Sequence, residues 1–513
     1  MKKYFQIGQR GLADYHYCLL FLLLAAALYA LVFSLNFDGL RSPDQMDYAQ
    51  IARHLYAGDG FETSYITPLS FAFNDSINNH PNLWRPPLYP LIVAAAFHIF
   101  GVNDAAVTIV SGFFYVALIP LVYLFGKEIF NRKVGLWAGA ISLASVVLVN
   151  LGMQGLTETM FTFFFILTLY LLYRRTNPLL VGFVLGLCYL TRYNVLFLLP
   201  GVLWFMYKEY TNQVRCFLEL AAIFLVTVSP WLIRNFIVTG NPLFTLQTYE
   251  IAMFNDIHPG YFLYGAFQPV EPLRFVISYP FVVLKKMVSG AADFFVEIPR
   301  MMFNFFVPAT ALAAIFDLKE LSKDKRIVNL LVSAGLMILL QAVILSATHA
   351  IVRLFVPFVP IVIIFASYKI TDITNAPQTK AVRNAVTCLF IILIIVANTA
   401  GVFLFNYSGA DYVHPDEINY IQATVNTDGA VVTDVPWMVA WHCERTGIWF
   451  PLTYESMKSR LPDVQYLYFS PDLKNNPRED NINEEYLDNP AFRQQFKLVK
   501  SFDSGALLFE KSQ

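Results

Sequence analysis

Two aspartates, Asp44 and Asp47, stand three residues apart in RSPDQMDYAQIARHL (41–55), just past an apolar run that ends near Leu35. A carboxylate at a membrane face, partly shielded from water, can have a raised pKa and take a proton from a hydroxyl or amine. Asp44 is the candidate for that work, although taken alone it reads better as a solvated loop acid. Asp47 has a plainer reading: it lies at the start of a helix expected over 49–57, where an acid complements the helix dipole. Further along, single charged residues sit at the ends of apolar runs. These are Glu158 in LGMQGLTETMFTFFF, Arg192 in LGLCYLTRYNVLFLLP, Arg234 in SPWLIRNFIVTGNP and Arg353 in THAIVRLFVPFVP, with Arg85 just before a Pro-Pro pair. Ionisable residues in membrane segments are costly and tend to be functional, although near span ends long side chains also snorkel to the interface. Arginine grips a phosphate through two donors at once. Acids and arginines converging on one cavity would therefore suit an anionic lipid head group. His80 and His349 read better as hydrogen-bonded interface histidines than as catalysts. The sequence holds no HExxH, no glycine-rich phosphate loop and no CxxC, so neither a metal site nor a cofactor is expected.

The elements that must position these residues are mostly apolar. The chain has 513 residues, 57% hydrophobic and 14% charged, with mean hydropathy +0.51. Soluble domains carry about 25% charged residues, so most of this chain is built for lipid. A net charge of −1 argues against a nucleic-acid partner. Apolar runs at 17–34, 104–126, 134–152, 157–173, 179–191, 194–207, 216–236, 302–317, 327–347, 354–371 and 385–405 give about 11 transmembrane helices, the fifth and sixth forming a tight hairpin that does not fully cross. Basic groups flank alternate ends, among them Lys2, Lys3, Lys127, Lys133, Arg174, Arg175, Lys208, Lys319, Lys325 and Lys369. The positive-inside rule makes that side cytoplasmic. The N-terminus is then inside, held by a retained anchor, and the C-terminus is outside.

Two outer regions are large. Loop 36–103 carries Asp44, and its RPPLYPLIVAAAFHIFGV stretch is too short to span; helices at 49–57 and 87–100 are expected to lie in the interface. The tail, 406–513, has 25 charged residues in 108 positions. Short strands at GAVVTD, VQYLYFS, FKLVKSF and GALLFEK and a helix over 437–444 give a small C-terminal α/β domain. Segment 237–300, with amphipathic pieces around 272–289, is expected to be interfacial. The domains are thus 1–405 in the membrane and 406–513 in water.

The series DQMDYAQIARHLYAGDGF (44–61), RPPLYPLIVAAAFHIFG (85–101), LTETMFTFFF (156–165), GLCYLTRYNVLFLLP (186–200), PWLIRNFIVTGNPLF (230–244) and HAIVRLFVPFVP (349–360) resembles the GT-C superfamily of polyprenyl-phosphate-sugar glycosyltransferases. The likeness is strongest to the branch holding protein O-mannosyltransferases, lipid A aminoarabinose transferases and bacterial galacturonosyltransferases, and it spans about 1–405. It implies that Asp44 is the catalytic aspartate, that Arg85, Arg192 and Arg353 bind the donor phosphate, and that Glu158 orients the acceptor. Asp47, Tyr48, His54 and Arg234 are further substrate-binding candidates. The protein-mannosylating branch has Glu after the aspartate and His before PPL; here Gln45 and Arg85 stand there, which points away from a protein acceptor. The implied reaction is an inverting, metal-independent hexosyl or pentosyl transfer from a polyprenyl-phosphate sugar to a glycolipid, polysaccharide or protein. Its expected place is the outer face of a cell membrane, with a bacterial inner membrane implied by the resemblance. The alternative is a secondary transporter or flippase for a sugar or lipid-linked sugar, but such proteins often carry inverted repeats and none is visible. A non-catalytic membrane scaffold for the tail is a third reading.

Overall fold

The first apolar run forms α1 (Lys2–Asn36), with Leu19, Leu20, Leu23 and Leu31 left exposed. In the computed structural model, which describes residues 2–301, 306–316, 323–376, 379–404 and 413–512, two short helices follow: α2 (Pro43–Ala57) and α3 (Leu88–Phe100), packed on each other. Then come α4 (Asp104–Ile129), α5 (Arg132–Leu143), α6 (Val146–Met153), α7 (Glu158–Tyr173), α8 (Pro178–Thr191), α9 (Val195–Glu209) and α10 (Gln213–Thr239). After α11 (Pro272–Ser278) and α12 (Pro280–Met301), helices Phe306–Phe316, Lys325–Ala347, Val359–Asn375 and Lys380–Leu404 complete the helical part. The chain is a multi-pass helical membrane protein.

Helix α4 is the hub, contacting α1, α5, α6 and α7. Its approach to α1 depends on Gly112, where a Cβ would lie 2.0 Å from the Tyr29 ring. Among the described residues, five helices are long and apolar enough to cross a membrane, or up to seven if each bent pair is one span. The difference from 11 has local causes. Run 134–152 is two helices, α5 and α6, bent by 51°. Helices α7, α8 and α9 have 16, 14 and 15 residues, short of the roughly 20 that span a bilayer. Parts of 302–317 and 385–405, Lys319, and the boundary at 405/406 lie outside the described residues. Nor do α8 and α9 form the expected hairpin: α8 packs chiefly on α10, and α9 on helix Lys325–Ala347.

The C-terminal segment builds a sheet with help from the first loop. Strands β1 (Tyr65–Ile66), β2 (Ala430–Thr433), β3 (Thr446–Trp449), β4 (Tyr466–Phe469), β5 (Phe496–Ser501) and β6 (Leu507–Lys511) lie in the order β1-β3-β2-β4-β6-β5. The first four are mutually parallel, and β6 runs antiparallel to both β4 and β5. Helix Pro436–Trp441 links β2 to β3, and helix Tyr454–Arg460 links β3 to β4. The sequence reading anticipated β2, β4, β5 and β6 but neither β1, whose two residues carry no pattern, nor β3 (TGIW), which holds a glycine where a strand former is expected. Because β1 belongs to loop 36–103, that loop and the sheet share one core, in which Tyr48, Ile66, Phe97, Val432, Ile448 and Leu467 take part.

Candidate active site

Helix α2 starts six residues earlier than expected, and this places both acids inside it. Ser42 is the N-cap and Pro43 opens the first turn, where its fixed φ is suited and its missing N–H costs nothing. The Gln45 side chain reaches back and accepts from the backbone N–H groups of Arg41 and Ser42, both at 2.8 Å. Asp44 and Asp47, three apart, therefore project on one face.

Arg85 meets both. Its backbone N–H is held by Asn82 Oδ1 (2.8 Å), its Nη2 donates to Asp44 Oδ1 (2.6 Å) and its Nε to Asp47 Oδ2 (2.6 Å). Its guanidinium also lies 4.7 Å over the Tyr48 ring and 5.3 Å over Trp84. Asp44's other oxygen accepts from Arg353 Nη2. Arg353 Nε lies 3.4 Å from Glu158 Oε1, which also receives Arg192 Nη1 at 2.8 Å. Arg192 is fixed further by Thr157 Oγ1 at 2.9 Å. The result is a continuous chain, Asp47–Arg85–Asp44–Arg353–Glu158–Arg192, alternating three acids with three guanidiniums. It draws on the first loop, the starts of α2 and α7, the end of α8 and the loop before helix Val359–Asn375.

The members differ in burial. Asp47 is 1% exposed and bound also by Gln50 Nε2 (3.1 Å), which ties it to Thr63. It is a brace for Arg85, inside α2 rather than just ahead of a helix beginning at 49. Asp44 keeps 26% of its side chain open. Glu158 is 3% exposed, and its Oε2 has no hydrogen-bond partner among the described residues. For Asp44, burial pulls the pKa up, but Arg353 and Arg85 outweigh it and hold the carboxyl well below the usual carboxylate range. This reverses the raised pKa expected from partial shielding, because two guanidiniums face one carboxylate. For Asp47, burial prevails over Arg85 and the pKa rises.

Two cavities meet at Asp44. One, of about 600 Å³, is lined by Asp44, Tyr48, Arg85, Arg192 and Arg353 on its polar side. Its apolar side includes Leu273 and Val276 of α11, with Leu345 and Leu354. The other, of about 300 Å³, extends toward the sheet and shares Asp44, Trp84, Arg85, Tyr261 and Arg353 with the first.

The remaining flagged residues lie elsewhere. His54 lines neither cavity; it bridges Asp59 (3.0 Å) and Ser64 (2.8 Å) beside β1. Arg234 also lines neither, donating to the Phe61 carbonyl (3.2 Å) and stacking over Trp231 at 4.9 Å. His80 is buried and held by Ser76 O and Ser70 Oγ. His349 does line the larger cavity, stacked 3.9 Å from Phe254; burial, Arg353 and Lys286 push its pKa down to about 4, so it is neutral. Sequence reasoning missed Glu250, Trp84 and Tyr261. Glu250 lines the larger cavity, and burial raises it to about 7 despite a 3.0 Å hydrogen bond from the Tyr264 hydroxyl. Only the adjacency of Trp84 to Arg85 could have drawn notice; Glu250 sits in a short 3-10 helix, Leu246–Ala252, without a motif. Among the described residues, no group of three or more His, Cys, Asp and Glu is placed to hold a metal ion.

Residues 84–233 match the family model of dolichyl-phosphate-mannose-protein mannosyltransferases. No curated protein matches the sequence. Two solved structures share the fold over nearly the whole chain. ArnT from Cupriavidus metallidurans bound to undecaprenyl phosphate superposes with a TM-score of 0.62 at 13% identity, covering 96% of this chain and 98% of ArnT. The archaeal oligosaccharyltransferase AglB from Archaeoglobus fulgidus, in complex with an inhibitory peptide and a dolichol-phosphate, gives a TM-score of 0.59 at 12% identity, covering 97% of this chain and 74% of AglB. At such identities the likeness is one of fold. The shared architecture covers 96–97% of this chain and so includes the sheet.

Proposed function

We propose that this protein is an integral-membrane glycosyltransferase. It moves a sugar from a polyprenyl-phosphate donor to a hydroxyl or amine of a glycolipid, polysaccharide or protein acceptor, on the outer face of the membrane. The observation that carries the reading is the pairing of Asp44 with both Arg85 and Arg353 at the junction of two cavities. The fold shared with ArnT and AglB, whose structures hold polyprenyl phosphates, supports it.

The larger cavity suits the donor. Its guanidiniums match a phosphate, and α11 beside it bears the exposed side chains of Leu273 and Ile277, an apolar surface for an isoprenoid chain. Arg85, Arg353 and Arg192 take the phosphate, and their charge stabilises it as it leaves, the kind of fixed electrostatic help that usually dominates. The acceptor O–H or N–H attacks C1, the bond from C1 to the phosphate oxygen breaks, and the proton passes to the Asp44 carboxylate and on to water. The products are the glycoside and the polyprenyl phosphate. A single displacement inverts C1. Three guanidiniums supply the positive charge, so no divalent ion is required.

Donor binding also tunes the base. Without donor, two guanidiniums hold Asp44 as a weak base. A phosphate competes for the same donors; as they turn to it, Asp44 loses counter-charge and gains basicity beside the acceptor. Outside the cell, nucleotide sugars are absent, which fits a lipid carrier.

Comparative mass spectrometry of glycolipids and envelope glycans from cells with and without the protein tests the reading. The expected result is one glycan shortened by a sugar residue, with accumulation of the polyprenyl-phosphate sugar. Unchanged glycans would count against transfer, and a carrier trapped in one leaflet with no missing glycosidic bond would favour transport.

A further inference from the structure

The smaller cavity lies where the sheet's chain path reverses. From β2 the chain moves to one side to form β3, then crosses to the other side of β2 to form β4. In open α/β sheets, ligands bind outside the carboxyl ends of strands at such a reversal. The residues just past those ends are the cavity lining: Asp434 after β2, Trp449 at the end of β3, and Asp472 after β4, with Asn475 and Trp437. Asp434 ties two strand ends together by accepting from Ser470 N–H (2.9 Å) and Oγ–H (2.6 Å). The opposite wall is Asp44, Arg85 and Arg353. The sheet thus presents its ligand-binding end to the junction of the acid–guanidinium chain, and the strand pair β1–β3 holds it there.

The chemistry of the crevice is that of a carbohydrate subsite. Trp437 and Trp449 cross edge to face at 5.8 Å, with Tyr65 and Tyr261 each within 5.9 Å of one of them. Aromatic faces of this kind pack against the C–H faces of sugar rings. The Nε1 of Trp449, a residue only 5% exposed, has no hydrogen-bond partner among the described residues. Polar groups at this end are two carboxylates and the Asn475 and Asn476 amides, which suit hydroxyls. Arg478 is turned to the carbonyls of Phe450 (2.8 Å) and Pro451 (3.1 Å) with only its Nε unbonded among the described residues, and Arg85 and Arg353 on the opposite wall are paired with Asp44, so an anionic group would meet carboxylates and cations already engaged. A volume of about 300 Å³ sits at the lower bound of small-ligand sites, roughly 300–1,000 Å³.

We propose that this crevice holds a neutral sugar residue of the acceptor, its ring against Trp437 and Trp449 and one hydroxyl directed at Asp44. This rests on the transferase reading above. Donor and acceptor then approach Asp44 from opposite cavities, the first from the helices and the second from the sheet.

The test uses the full-length protein in nanodiscs, followed by tryptophan fluorescence. It is titrated separately with undecaprenyl phosphate and with a panel of methyl glycosides: neutral hexoses, N-acetylhexosamines, and hexose 6-phosphates. The expected result is a saturable change with at least one neutral glycoside, with the corresponding phosphate binding at least tenfold more weakly. The double variant Asp472→Ala/Asn475→Ala should weaken the neutral glycoside at least tenfold, and its titration with undecaprenyl phosphate reports whether it is folded. Trp449→Phe provides a second, more conservative probe, expected to reduce both signal and affinity. No saturable response to any neutral glycoside, or tighter binding of the phosphates, overturns the proposal while leaving donor binding and the transferase reading intact. Failure of undecaprenyl phosphate to bind the wild-type protein removes both.

Discussion

The two ends of α2 carry charged residues of opposite kind in different circumstances. In the first turns, Asp44 and Asp47 are paired with guanidiniums from distant parts of the chain, Asp44 at the edge of both cavities and Asp47 buried behind it. Toward the other end, Arg53 donates to the carbonyls of Ala440 and Trp441 and lies 3.6 Å from Glu444, and in the last turn His54 bridges Ser64 and Asp59. The helix is 15 residues long, about 22 Å, so the two settings are a short rod apart. A charge paired with another charge beside a cavity is exchangeable, because an incoming phosphate can take over the arginine. A charge satisfied by backbone carbonyls is committed to docking, here fastening the sheet onto the helices. What separates the two ends is that the guanidinium at Asp44 is shared between carboxylates beside a cavity, whereas that of Arg53 also grips two backbone carbonyls.

Substitutions at the two ends should diverge accordingly. Asp44→Asn is expected to lower the transfer rate by about 10³-fold, within the range for general bases, with donor binding retained. Arg353→Ala should cost about 10²–10³-fold in kcat and also weaken undecaprenyl phosphate binding; Arg353→Lys should recover little, because one ammonium cannot serve both Asp44 and Glu158. At the other end, Arg53→Ala should destabilise by about 2 kcal/mol, from hydrogen bonds to a charged group, with the transfer rate per folded molecule within a few fold of wild type. If Arg53→Ala abolished transfer in folded protein, the distinction between the two ends would fail.

Two pH effects are smaller and sharpen the same contrast. Asp44's pKa is depressed in the free protein, so the acid limb of kcat/KM, which reports the free enzyme, should lie below that of kcat, which reports the complex. Coincident limbs would contradict the exchange of arginines from carboxylate to phosphate. Glu250 is shifted the other way, to about 7. A raised pKa contributes stability that is fully present below the unfolded value of about 4.3 and is lost as pH rises through 7. Glu250→Gln should therefore flatten the melting temperature between pH 5 and 8, measured by thermal unfolding in detergent.

Much of the helical architecture was legible in the sequence because apolar runs and basic flanks are local signals. The charged chain was legible only as separate members. Asp44, Arg85, Glu158, Arg192 and Arg353 each interrupt or border apolar sequence, which made them conspicuous, but nothing local says that Arg353 bridges Asp44 and Glu158. Asp47's tie to Arg85 was hidden because the two lie 38 residues apart. Arg234 was conspicuous for the same reason as the site residues and His54 only through the resemblance, yet their partners are loop and backbone groups. Strand β1 was hidden because two residues carry no periodicity and its partner is β3, some 380 residues on. The sheet-facing cavity depended on that pairing and could not be foreseen without it.

The most direct measurement is single-turnover transfer by purified Asp44→Asn protein loaded with its polyprenyl-phosphate sugar, the sugar being the residue missing from the glycans of cells lacking the protein. The account predicts wild-type-like donor loading and transfer to acceptor slowed by about 10³-fold. Transfer at a rate within a few fold of wild type, from an equally loaded sample, would contradict it.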